Sequence, residues 1–549
     1  MNANNIATAL FEIAASQPDT LAIALPAEPG KPLPKSGPVP YHKISFKELA
    51  NETNCISRGL LASGFKPGER VVLMVPPSVE FFSLIFAFLQ SGIIPVLIDP
   101  GIGIKNLKKC IGEAKPVGFI GITKAHVARV LLGWGRSTIK KRVTIGSRLF
   151  WGGRLLKKIK DSGRSDAPAE CFAVQPDDLA SISFTSGSTG IPKGVMSTHG
   201  NIHHQVEIIR RTYHVRPGEI DLPTFPPFAL LNAIVGMGSI IPDMDPTRPA
   251  SVDPERIIRV MDQFKVTSMF GSPALIDRVG RYGEANNVKL PSLKRVFSAG
   301  APVSAKALRR FSAMLNPTTQ IFTPYGATES MPVASIGSHE ILKKEVQQRT
   351  ESGGGICIGK PVDTLEAQVI RITDEPISFW SEELKLGVGE IGEIVVKGKN
   401  VTQAYFNRDV ATKSAKIKDG DSIWHRMGDL GYKDAEGNLW FCGRKAHIVK
   451  LDDKELYSVQ CESIFNKHPQ VHRTALVGVR KKAVLCVEVD KYVDSPNRGK
   501  IKKELLEWAA GNELTKDIQT ILFHPSFPVD IRHNAKIFRE KLAVWAATQ

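Results

Sequence analysis

Ser183–Gly194, SFTSGSTGIPKG, is the stretch on which the reading of this 549-residue chain turns. An apolar run, SISF, feeds into small and hydroxyl residues and ends on Pro192-Lys193-Gly194. Small residues such as Gly187 and Gly190 let backbone amides close around phosphate oxygens. The hydroxyls of Thr185, Ser186, Ser188 and Thr189 add donors, and Lys193 adds charge. A flexible serine- and glycine-rich surface loop has the same composition. A P-loop is the nearer rival, but it needs Gly-Lys followed by Ser or Thr at the head of a helix. Here Lys193 follows Pro192 and precedes Gly194, which argues against a Walker-type ATPase.

Outward from this loop, short apolar runs alternate with helix-length segments: RVVLMV, IPVLID, VGFIGI, SMFGS and RVFSAG. That alternation predicts α/β layers with largely parallel sheets. Residues 5–23 read as an amphipathic helix followed by a strand start. Pro26–Pro40, with six prolines in fifteen residues, reads as an exposed loop. After about Asp374 the pattern becomes β-rich. The last hundred residues alternate again and predict a small α+β domain.

Two uncharged stretches could pass for membrane spans. Phe81–Ile98 is interrupted by Gln90, Ser91, Gly92 and Pro95, so it reads as a helix ending near Gly92 and a buried strand, Pro95–Ile98. Leu222–Pro242 carries four prolines, at 223, 226, 227 and 242, which rules out a continuous helix. The N-terminus lacks the early positive charge of a secretory signal. Seven cysteines, none in CxxC spacing, suit a reducing cytosol and exclude a disulfide scaffold or zinc knuckle. The expected location is therefore cytoplasmic.

Further motifs lie in order along the chain: Gly300-Ala301-Pro302, Tyr325-Gly326-Ala327-Thr328-Glu329, Gly392-Glu393-Ile394 with Tyr405 and Thr412, Gly428-Asp429-Leu430, Gly443-Arg444-Lys445, and Lys536 within NAKIFREKL. With the SFTSGSTGIPKG loop, this array resembles the acyl-adenylate-forming superfamily of acyl-CoA synthetases, luciferases and peptide-synthetase adenylation domains. The resemblance implies a large N-terminal domain of layered sheets and helices with a β-rich subdomain, residues 1–442. A small mobile α+β domain, residues 443–549, would follow a hinge near 444–447. It also implies ATP and Mg²⁺. Thr185–Lys193 would hold the β,γ-phosphates, with Gly300, Ala301 and Pro302 forming the adenine-side turn. Tyr325 would stack on adenine, Thr328 would contact the α-phosphate and Glu329 would ligate Mg²⁺. A carboxylate is the right hard oxygen ligand for that ion. Asp429 would accept from both ribose hydroxyls, Arg444 would contact ribose or phosphate, and Lys536 would bridge the attacking carboxylate and the leaving oxygen. Lys193, Thr328, Glu329 and Lys536 are the expected catalytic set.

The chain also departs from the family pattern. Ala446 and His447 replace the usual acidic pair of the hinge, Asp453 stands at its glycine and Gln460 at the first of two glutamates, while Glu462 is retained. Ala535 replaces the glycine before the lysine, and the acyl-gate segment Thr224–Leu231 has no His. In coenzyme A ligases the hinge loop lines the pantetheine tunnel, and an Asp there suits neither a close approach nor an incoming thiolate. The adenylating half looks intact and the thioester-forming half altered, so coenzyme A is not expected to be used. The segments LPTFPPFAL, IPDMDPTRPA, MFGSPALI, WFCGRK and FPVDIRHNAKI look like the olefin β-lactone synthetases of bacterial long-chain hydrocarbon synthesis. That resemblance implies a long-chain 2-alkyl-3-hydroxy acid whose own hydroxyl attacks the acyl-AMP, effective molarity replacing a second substrate. An ordinary long-chain acyl-CoA or acyl-AMP ligase is the alternative. Implied pathway neighbours are a thiolase-like condensing enzyme, an NADPH reductase and an α/β-hydrolase-fold decarboxylase.

On the substrate side, Phe225, Phe228, Leu231, Val235 and Met237 suit walls for alkyl chains or ordinary core. Asp243, Asp245 and Arg248 could position the hydroxyl or cap a turn. No residue stands out as its base, though His447 is a candidate. The formal net charge is +17. Between Arg129 and Arg164 eleven basic residues stand against Asp161 alone, interleaved with bulky apolar ones. Segment 129–164 reads as a surface for anionic lipid or an acidic partner, or as a solvated helix face. No nucleic-acid-binding motif accompanies the charge, so nucleic acid is not an expected partner.

Overall fold

The computed structural model describes residues 4–185, 192–493, 495–530 and 536–549. Two seven-stranded sheets form its larger part. In spatial order the first runs Arg154–Leu155, Lys141–Ile145, Gly118–Ile122, Arg70–Met74, Ile94–Ile98, Leu179–Thr185 and Lys193–Thr198. Every pair is parallel except the last, so the glycine-rich loop joins an inner strand to an antiparallel edge strand. The second runs Gln320–Phe322, Arg295–Phe297, Ser268–Phe270, Ile220–Pro223, Gly238–Ile240, Leu21–Pro26 and Tyr41–Ser45, again parallel except at its last pair. The predicted α/β layering is what forms.

Helix Val79–Gln90 explains the first uncharged stretch. Ser78 caps it, accepting from the Phe81 amide, and Phe82 through Gln90 are all buried. A helix apolar all round belongs inside a core. This one packs in a cluster drawing on both sheets, with Ile23, Leu73 and Ile241. Strand Ile94–Ile98 follows, as predicted. The second uncharged stretch splits into the strand Ile220–Pro223, helix Phe228–Ile234 and strand Gly238–Ile240. Among the described residues no helix is long and apolar enough to cross a membrane.

The third sheet is antiparallel: Tyr325–Ala327, Ser330–Ser335, Ile356–Pro361, Leu439–Arg444, Ser422–Lys433, Gly392–Gly398 and Leu365–Ile370, with Lys416–Asp419 beside Ser422–Lys433. It begins at Tyr325, about fifty residues before the β-rich pattern was expected near Asp374. The early strands are short and carry Gly, Ser and Pro, so they lack the alternation that marks a half-buried strand.

After Arg444 a smaller body follows. Its sheet pairs Val471–Val479 with Lys482–Val489 in a hairpin, and Lys482–Val489 with Thr520–Phe523 in parallel through helix Arg498–Ala510. Ile464, Phe465, Leu476, Leu485, Val487 and Leu505 give it a core of its own. It meets the rest of the chain through polar contacts. Arg281 Nη2 lies 2.8 Å from Asp490, Lys306 Nζ donates to the His468 carbonyl at 3.0 Å, and Gln460 Nε2 donates to the Gly353 carbonyl at 2.9 Å. All seven cysteines are free thiols.

Candidate active site

The first and third sheets bring their motif residues together. Thr185 and Lys193 are cross-strand partners, so both ends of the glycine-rich loop are fixed by sheet pairing. Ser186, Gly187, Ser188, Thr189 and Gly190 lie outside the described residues. Thr328 and Glu329 form the turn between the strands Tyr325–Ala327 and Ser330–Ser335, where Ala327 pairs with Ser330.

One extended segment stitches these two features together. Phe406 donates its amide to the Gly194 carbonyl at 2.8 Å, Tyr405 bridges Val195, and Thr402 donates to the Glu329 carbonyl at 2.9 Å. The Tyr405 hydroxyl then donates to Glu329 Oε1 at 2.7 Å, and Lys193 Nζ sits 5.0 Å from the Tyr405 ring centroid. Burial, and then the Glu329 charge, hold the Tyr405 phenol far above its ordinary pKa, so it acts as a donor. Oε1 is thereby engaged and Oε2 accepts no hydrogen bond among the described residues. No cluster of three or more His, Cys, Asp or Glu suited to a metal occurs among them. One carboxylate edge beside Tyr405 and Lys193 still fits Mg²⁺, which is commonly held by one or two carboxylates plus substrate phosphates.

Asp429 and Arg444 are cross-strand partners in the third sheet. Asp429 is 4% exposed. The Tyr325 hydroxyl donates to its Oδ2 at 2.6 Å, and Arg444 Nε approaches Oδ1 to 2.9 Å as an ion pair. Oδ1 accepts no well-directed hydrogen bond. Burial pushes the Asp429 carboxyl up, opposed by Arg444, the Tyr325 bond and the Lys536 charge. A buried carboxylate oxygen beside a guanidinium, with acceptor capacity to spare, fits a diol such as ribose. Gly443, just before Arg444, has φ +136°, and a Cβ there would meet Ser458 Oγ at 2.7 Å. Only glycine fits. Gly300 lies at the carboxyl end of the strand Arg295–Phe297, followed by half-buried Ala301 and exposed Pro302.

Lys536 comes from the smaller body. Its amide donates to Asp530 Oδ1 at 2.9 Å, and Asp530 returns its amide to the Lys536 carbonyl at 3.0 Å. Three residues on, Arg539 grips Glu462 through a 2.6 Å ion pair. The Lys536 charge is felt at Asp429. At the start of the smaller body, Lys445 Nζ donates to the Thr373 carbonyl at 2.7 Å and lies 3.4 Å from Glu393, itself paired with Arg426 at 2.6 Å. His447 is half-buried, its Nδ1 without a hydrogen-bond partner. Burial, Arg539 and Arg444 push its pKa down to about 3. An imidazole so acidic is a weak base in this arrangement.

On helix Phe228–Ile234, Ala229, Leu230, Ala233 and Ile234 face the core. Phe228, Leu231 and Val235 follow at three- and four-residue spacing on another face. Phe228 stacks edge-on against Phe225 and Phe270, at 5.2 and 4.7 Å. Met237 is 2% exposed and packs with Tyr213 and Val215, an ordinary core position. Asp243 binds Arg256 at 2.5 Å and the Gly30 amide at 3.0 Å, pinning the proline-rich loop. Asp245 caps its turn through the Thr247 amide at 2.9 Å. Sequence reasoning noted Tyr405 as a motif match but gave it no role, and it missed Lys416 and His425 beside it.

Comparison with known proteins agrees with this assembly. Residues 10–406 match the family of AMP-binding enzymes. The chain belongs to that family, and it is an AMP-forming, acid-activating enzyme. Over 99% of its length it is 45% identical to an olefin beta-lactone synthetase of Xanthomonas campestris, covering 98% of that protein. It is 44% identical to the same enzyme of Stenotrophomonas maltophilia, with the same coverage. In fold it resembles the amide bond synthetase McbA of Marinactinospora thermotolerans (TM-score 0.79, 18% identity, 98% of this chain and 99% of that one). It also resembles ATP-bound MatB of Rhodopseudomonas palustris (TM-score 0.78, 22% identity, 100% and 99%).

Proposed function

We propose that this chain activates a long-chain 2-alkyl-3-hydroxy acid with ATP and then closes it to a β-lactone. In the first step the carboxylate attacks the α-phosphorus, giving acyl-AMP and pyrophosphate. In the second the 3-hydroxyl attacks the acyl carbon, its proton is lost and AMP leaves. The 45% identity to an olefin beta-lactone synthetase across 99% of the chain carries this reading.

The site residues support it with distinct roles. Lys193, with the loop from Thr185, faces the β,γ-phosphates, and Thr328 faces the α-phosphate. Glu329 would hold Mg²⁺, which would supply charge neutralisation on the polyphosphate. Asp429, Arg444 and Tyr325 receive ribose and adenine alongside Gly300, Ala301 and Pro302. Lys536 meets the charge developing between the carboxylate and the leaving oxygen, where a preorganised cation counts most. Phe225, Phe228, Leu231 and Val235 line the alkyl path. A division at residues 442 and 443, with a hinge near 444–447, is supported by the separate core of the smaller body.

Coenzyme A is not used, on this reading, because Ala446, His447 and Asp453 reshape the loop that would receive it. Phe150 and Leu131, 78% and 77% exposed, and the exposed Arg136, Lys140, Lys157 and Lys158 of the same segment, which form no ion pair among the described residues, support peripheral contact with anionic lipid. The purified protein, given a long-chain 2-alkyl-3-hydroxy acid, ATP and Mg²⁺, is expected to yield lactone and AMP, unchanged by added coenzyme A. Ready formation of acyl-CoA with no lactone would sink the proposal.

A further inference from the structure

Lys416 is a buried cation that none of the roles above uses. It is 7% exposed, and its partners are the Thr402 carbonyl and, at 3.5 Å, the Thr402 hydroxyl. Among the described residues no carboxylate forms an ion pair with it. Its cross-strand partner, His425, is 3% exposed, and burial, then the Lys416 charge, hold that imidazole well below its ordinary pKa, so it offers no counter-charge. An unpaired ammonium in a protein interior is costly, and an apolar side chain of the same length would remove that cost.

The surroundings show what the cost could serve. Thr402, which accepts from Lys416, donates its amide to the Glu329 carbonyl at 2.9 Å. Three residues on, the Tyr405 ring centroid lies 6.0 Å from Lys416 Nζ and 5.0 Å from Lys193 Nζ, and its hydroxyl holds Glu329 Oε1. Lys416 therefore acts on the main chain of Glu329 through Thr402 and stands with Lys193 around the side chain that aims the carboxylate. Burial pulls the Lys416 pKa down to about 7, and the charge of Glu329, the nearby acid, opposes this by favouring the protonated lysine.

We propose that Lys416 is a positioning residue for acid activation, locking Thr402–Tyr405 against the Glu329 turn and adding a second positive charge behind Lys193 at the polyphosphate end. The proposal rests on the reading of Lys193 and Glu329 given above. Its signature is an opposition of stability and affinity. Replacing a costly buried charge by a near-isosteric apolar chain relieves the fold and weakens the site.

The test is Lys416→Met in the full-length protein. Its ligand-free melting temperature is expected to rise, and half-saturating ATP and Mg²⁺ in ATP–pyrophosphate exchange to rise about tenfold, with a smaller change in maximal rate. A lysine that merely fills space would give unchanged half-saturation with an unchanged or lower melting temperature, and that result would overturn the proposal. If the Met variant does not fold, Lys416→Gln keeps a donor for Thr402 without the charge and is expected to show the weaker ATP binding. Unchanged binding in that variant would equally overturn it. Glu329→Gln is the control, since exchange insensitive to that change would mean that the site reading itself had failed.

Discussion

Asp429 is held between two opposed demands. Burial disfavours its charge, while Arg444, Tyr325 and Lys536 favour it, and on the proposed reading that charge receives ribose. Hydrogen bonds to a charged group contribute about 1.5–3 kcal/mol, so Asp429→Asn is expected to raise half-saturating ATP by about ten- to a hundredfold, read in pyrophosphate exchange. Lys536→Ala is expected to lower the maximal exchange rate by about a hundredfold or more, because on the proposed reading its ammonium serves the transition state. The motif residues were legible because each belongs to an ordered sequence pattern. Lys416 was not. In Lys416-Ile417-Lys418-Asp419 period-two alternation puts Ile417 inside and both lysines outside, yet Ile417 and Lys416 are both buried. Such conflicts between local pattern and global fold concentrate at functional sites.

At the scale of elements, the helix Phe228–Ile234 carries a substrate prediction. Its half-buried Phe228 and Leu231, off the Ala229 and Ala233 face, offer a wall that can be narrowed, whereas Val235 packs with Tyr213 and Met237. Leu231→Phe is expected to shorten the longest acid that supports exchange, with short-chain activity retained, measured across an acyl-length series. Helix His199–Thr212 carries a pH prediction. His199 is 2% exposed, and its Nδ1 accepts from the Ile6 amide at 3.2 Å, tying down the segment before helix Thr8–Ser16. Burial lowers its pKa to about 4, against a small opposing effect of Asp178. Between pH 6.5 and 4 the unfolded chain takes this proton and the folded one does not. The stabilisation is therefore complete above about pH 6.5 and falls by about 3 kcal/mol as pH drops to 4. His199→Asn keeps an acceptor without a titrating ring, so its urea midpoint should fall less than the parent's between pH 7 and 4.5. The parallel strands were legible because both faces are covered and their runs are continuously apolar. Tyr325–Ala327 and its neighbours were not, since pairing across the sheet, rather than residue type, makes them strands.

Over the whole molecule, the excess positive charge is less available than the sequence suggested. Arg129 is 7% exposed and lies over Phe119, Lys141 pairs with Glu69 at 2.6 Å, and Lys160 pairs with Glu52 at 2.5 Å. Arg136, Lys140, Arg154, Lys157 and Lys158 remain exposed. Replacing Arg136, Lys140, Lys157 and Lys158 by Gln is expected to reduce sedimentation with anionic vesicles several-fold at low salt while leaving pyrophosphate exchange unchanged. Binding to neutral vesicles that survives the change would point to Phe150 and Leu149 alone. The link between the two bodies has a mechanical reading as well. Lys445 is bolted to Glu393 and Thr373 on the sheet side, so a swing of the last hundred residues would take its torsion from Ala446 onward. A pivot fixed at one end turns the far end furthest, and the side chains that would travel least include two of those that differ from the family pattern, Ala446 and His447.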